Sequence, residues 1–68
     1  MISEDKIYEF FTLVKTEQVQ SLTLKELNID YIDIFELVTE IQCIYKIEVP
    51  NNYNFVYLND ILEYFRNL

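Results

Sequence analysis

Acidic side chains are the groups in this 68-residue chain whose spacing suggests chemistry. Asp30 and Asp33 stand three apart, and Asp33, Glu36 and Glu40 follow at i, i+3 and i+7, which sets their carboxylates along one side of a helix. Paired carboxylates can divide general acid from general base only where a pocket raises one pKa. Acids at an open helix start are solvated, so catalysis by Asp30 and Asp33 is not expected. An isolated acidic triplet is ordinarily a solvated helix flank. Two features set this one apart. The helix dipole favours negative charge at Asp30 and Asp33, so these acids can sit close together. Ile44, one turn after Glu40, puts a large apolar side chain at the border of the acidic stripe, where a partner would cover it.

The absent residue types narrow the function further. Without His there is no Ser-His-Asp triad, no Cys-His pair and no imidazole acid or base; without Gly there is no phosphate-cradling loop and no dinucleotide fingerprint. An enzyme is not expected, and neither is a metal site. Cys43, the single cysteine, cannot close an intrachain disulfide; it falls on the outer side of its helix and is given no role. Twelve acids against five bases give a net charge of -7, a field that repels nucleic acid and anionic lipid and attracts basic proteins. The start Met1-Ile2-Ser3-Glu4-Asp5 is acidic where a secretory signal is basic, and the longest uncharged run, Val49 to Asn59, is polar. A cytoplasmic protein with no membrane segment is the expectation.

The elements that must hold these residues follow from periodicity. Ser3 is an N-cap ahead of Glu4 and Asp5, and Ile7, Phe10, Phe11 and Val14 recur at helical spacing, which predicts a first helix over residues 4 to 16. Residues 16 to 29 read as a long tethered loop with at most one helical turn, anchored by Leu22, Leu24 and Leu27. Ile34, Leu37, Val38, Ile41 and Tyr45 share a stripe about 100° wide, which predicts a second helix over 32 to 45. Pro50 with Asn51 and Asn52 stops it or sits just beyond it. A short helix is expected at 54 to 57, and Leu58, Ile61, Leu62 and Phe65 predict a last one. Ile47 to Val49 and Phe55 to Tyr57 are rich in strand formers but too short to make a sheet. Residues 1 to 68 are thus expected to form one all-α domain, three longer helices plus a short one. At this size the core is marginal.

Three segments carry a family resemblance. Leu27 to Ile41, with Asp30-Tyr31-Ile32 and Glu36-Leu37 inside it, resembles the second-helix signature L-G-x-D-S-L-x-x-x-E-L of acyl carrier proteins and the related peptidyl and D-alanyl carrier domains. Tyr45-Lys46-Ile47-Glu48-Val49-Pro50 resembles the aromatic and I-E-I/V-P that close this helix in the family, and Leu58-Asn59-Asp60-Ile61 resembles the V-x-D-L/I that opens the last helix. Leu24 stands in place of the Phe that usually precedes E-D-L. The resemblance spans nearly the whole chain and implies the acyl-carrier bundle.

The departures decide what the resemblance implies for function. The family's Ser carries a 4′-phosphopantetheine arm on its hydroxyl; here that position is Tyr31. The phenol lies at the far end of a rigid ring, well beyond the reach of a Ser oxygen, so a transferase shaped for Ser should not meet it in line. Ser3 and Ser21 follow no Asp at the start of the second helix. Asn28 replaces the family's Gly and can still adopt a left-handed turn. Asn51, Asn52 and Asn54 replace acids of the third helix, and the loop after the first helix is short for the family. Three readings of Tyr31 stay open: a filler at an exposed position, an active part of an interface, or an altered or unusually modified site.

The resemblance therefore implies a carrier-like binding module with no cofactor. Its docking face comprises Asp30, Tyr31, Asp33, Glu36, Glu40 and Ile44 and meets a basic patch on a fatty-acid, polyketide or peptide biosynthetic enzyme. Tyr53, Phe55 and Tyr57 are expected to line the loop side of a groove between the second and third helices. Ile44 and the aromatic loop equally fit a homodimer. The alternative is a working carrier whose attachment Ser is altered at position 31, in which case 4′-phosphopantetheine is the cofactor.

Overall fold

The computed structural model describes residues 2–51 and 53–68, so the expectation placed on Asn52 lies outside the described residues. Four helices occur among them: α1 (Glu4–Phe10), α2 (Glu17–Gln20), α3 (Tyr31–Tyr45) and α4 (Leu58–Arg66). The fold is all-α, with three longer helices and one short one. The short helix is not where the sequence placed it. Residues 54 to 56 have no helical turn, and Tyr57 instead forms an isolated antiparallel bridge with Thr23. Leu24 N–H donates to the Val56 carbonyl at 2.9 Å and Leu58 N–H to the Leu22 carbonyl at 3.0 Å. The strand formers at 55 to 57 thus pair for a single step, which removes their backbone groups from a helix.

Side chains just before or within the first turn define the helix starts. The Ser3 hydroxyl accepts the Asp5 N–H, the Thr16 hydroxyl accepts the Val19 N–H, and Asp60 accepts the Val56 and Tyr57 N–H groups ahead of α4. The first helix is shorter than the 4 to 16 expected. Thr12 N–H reaches the Glu9 carbonyl and Leu13 N–H the Tyr8 carbonyl, a Schellman stop with Thr12 left-handed at φ 57°. Val14 consequently lies beyond the helix and is exposed.

The loop from 16 to 29 is more ordered than its weak periodicity suggests. Thr23 and Glu26 cap each other: Glu26 accepts the Thr23 N–H and hydroxyl at 2.9 Å each, and Glu26 N–H donates to the Thr23 hydroxyl at 3.1 Å. Ile29 N–H then closes onto the Leu24 carbonyl at 2.8 Å across left-handed Asn28, φ 59°. This capped turn aims Leu24 and Ile29 into the core.

The core joins Ile7 and Tyr8 of α1, Leu24 and Ile29, the α3 residues Leu37, Val38 and Ile41, Val49, and the α4 residues Leu58, Ile61, Leu62 and Phe65. Phe10, Phe11, Ile34, Tyr45 and Tyr64 pack partly buried at its edge. α4 lies against α1 and α2. Arg66 pairs with Glu4, tying the end of α4 to the start of α1. No helix of the described residues is long and apolar enough to cross a membrane.

Candidate functional site on helix α3

Helix α3 begins one residue earlier than the apolar stripe indicates, because Asp30 caps it. Asp33 N–H donates to the Asp30 carboxylate at 3.0 Å and Asp30 N–H donates to the Asp33 carboxylate at 3.0 Å. Lys46, left-handed at φ 55°, ends the helix. Beyond it Gln42 accepts the Val49 N–H at 3.0 Å, and the Tyr64 hydroxyl donates to the Pro50 carbonyl at 3.0 Å. These two bonds hold the 47 to 50 segment beside α3 and α4.

The six residues expected to form a docking face divide in the structure. Asp30 and Asp33 are engaged with each other's backbone as caps. Tyr31 opens the helix and is 79% exposed, so its phenol stands in solvent. Glu36 is exposed, Glu40 half-buried and Ile44 about half exposed. Among the described residues the ion pairs are Lys15 with Asp5 and Arg66 with Glu4, so no cation is spent on Glu36 or Glu40.

Glu36, Glu40 and Ile44 do share a surface. They border an open groove of about 530 Å³ whose apolar walls are Phe35, Ile44 and, from the end of α1, Phe10; Cys43 lines it as well. On the other side of Phe35 lies a second groove of about 490 Å³, with Tyr31, Val38, Val49, Pro50 and Tyr53 among its walls. Phe35 and Thr39 belong to both. Phe35 is 59% exposed and Ile32 63%, and neither belongs to the docking face expected from the sequence. The signal was present in the row Tyr31, Phe35 and Thr39 at i, i+4 and i+8, which falls outside the buried stripe.

The expected trio of loop aromatics also divides. Tyr53 and Phe55 stack on each other, centroids 4.8 Å apart, and both meet Tyr64 of α4 edge-on. Tyr57 lies apart from them in a small recess with Gln20, Ser21 and Asn59. With no third helix at 54 to 57, only Tyr53 of the trio reaches the groove beside α3. Burial pushes the Tyr53 phenol above its ordinary value, and the neighbouring Tyr31 and Tyr64 phenols add to the shift.

No cluster of metal-ligating side chains occurs among the described residues. Cys43 is an exposed free thiol on the outward side of α3. No protein-family model, characterised protein or solved structure matches the chain.

Proposed function

We propose that the chain is a cytoplasmic docking module, similar in sequence to acyl carrier proteins but bearing no phosphopantetheine arm. It would bind a basic patch on a fatty-acid, polyketide or peptide biosynthetic enzyme. The observation that carries this reading is the outward surface of α3, where Phe35 and Ile44 stay in water beside Glu36 and Glu40. Leaving a large apolar side chain exposed forgoes about 1.5–3 kcal/mol of burial, a cost that a covering partner recovers. Glu36 and Glu40 supply steering and register, and their attraction is screened beyond about 8 Å at physiological ionic strength.

Asp30 and Asp33 hold the helix start, and Glu36 and Glu40 meet the partner. Tyr31 adds an exposed aromatic surface with a polar tip, a side chain favoured at binding hot spots.

Intact mass after incubation with coenzyme A and a promiscuous phosphopantetheinyl transferase tests the absence of an arm. The wild-type mass should not change. A gain equal to the arm would restore the carrier reading. Tyr31→Ser in the same reaction shows whether the transferase still recognises the rest of the surface.

A further inference from the structure

Building on that docking reading, we propose that Phe35 is its anchor and that the occupant is a cationic amphipathic helix of another protein, seated astride the Phe35 ring. Phe35 and Thr39 form the wall between the two α3 grooves, of about 530 and 490 Å³. A single flat contact would cover one groove and leave the other wet. A helix fits both, because its side-chain ridges interdigitate with those of α3 and its i, i+3 and i+4 apolar residues fall on either side of a central ring.

Charge selects the sign of the occupant. Glu36 and Glu40 border one groove and Glu48 the other, while among the described residues neither Lys nor Arg lines either of them. A second copy of this chain would bring Glu36 and Glu40 against the same acids, between bodies each carrying a net charge of -7. Lysine or arginine flanking two apolar anchors satisfies both grooves at once.

The test uses the full chain and a synthetic peptide of leucine and lysine alone, with leucines at i, i+3, i+4 and i+7. Titration followed by backbone amide NMR should move Thr39, Cys43, Ile44 and Val49. Phe35→Ala should weaken binding about tenfold or more with helicity unchanged, and Phe35→Leu should retain most of it. A peptide with serine in place of leucine should bind weakly and ignore Phe35→Ala. The proposal is overturned if the leucine peptide does not bind, or binds Phe35→Ala as tightly as wild type. It is also overturned if sedimentation shows a dimer of the chain alone that Phe35→Ala dissolves. Binding lost on Glu36→Lys with Glu40→Lys but indifferent to Phe35→Ala would keep the docking face and remove only the anchor.

Discussion

The Asp30 carboxylate accepts the Asp33 N–H and the Asp33 carboxylate accepts the Asp30 N–H, each at 3.0 Å, so the two acids cap the same helix reciprocally. Asp30 and Asp33 secure the helix start, and Glu36 and Glu40, further along, border a groove that neither Lys nor Arg lines among the described residues.

Removing the box should therefore cost stability. Asp30→Ala is expected to lower the unfolding free energy by about 1 kcal/mol, as for other N-caps, and Asp30→Asn much less. Asp30→Ala with Asp33→Ala should cost less than the sum of the single changes, because both dismantle one unit. Urea unfolding of wild type, Asp30→Ala, Asp30→Asn, Asp33→Ala and the double alanine variant checks this. Asp33→Asn should leave partner affinity near wild type.

Thr12 occupies the left-handed region without glycine's freedom. The left-handed conformation costs an L-residue about 1–2 kcal/mol, against roughly 0.5–1 kcal/mol for the extra backbone entropy a glycine loses on folding. Thr12→Gly is thus expected to stabilise the chain by up to about 1 kcal/mol, with an upward shift of the urea midpoint. Asn28→Gly should change it less, since asparagine already tolerates φ 59°.

The Thr23–Glu26 turn carries a pH signature. The Thr23 N–H and then its hydroxyl hold the Glu26 carboxyl below its ordinary 4.5. A depressed carboxylate contributes stability that is fully present above pH 4.5 and is lost as pH falls through the lower folded value. NMR titration of the Glu26 side chain should give a midpoint below 4.5, and Thr23→Val, which keeps the N–H, should return it part of the way.

Helix α3 and the buried face of α4 were legible because Leu37, Val38 and Ile41, and Ile61, Leu62 and Phe65, repeat at helical spacing and are buried. The end of α1 was hidden because Val14 continues the apolar period past a stop made by Thr12, a residue seldom found left-handed. The turn at 23 to 28 carries a readable Thr-x-x-Glu capping box, but the segment has too few apolar residues to show a period. The short helix expected at 54 to 57 does not form, because Tyr57 bridges to Thr23 instead. Pairing of Leu24 with Val56 is a tertiary contact that no local pattern encodes. At the candidate site, Ile44 was visible at the border of the acidic stripe. The i, i+4, i+8 row of Tyr31, Phe35 and Thr39 marks Phe35 as outward, but its place between two grooves depends on Phe10 and Tyr53 arriving from other segments.

The docking claim is tested most directly by reversing its charge. Wild type and the double variant Glu36→Lys, Glu40→Lys, shown by circular dichroism to be equally helical, should be used as baits in extract of the source organism. Affinity for the captured protein should then be measured with that protein purified. Wild type should hold a fatty-acid, polyketide or peptide biosynthetic enzyme that the double variant does not hold. Equal binding by both proteins, or a captured set containing no such enzyme, would contradict the proposal.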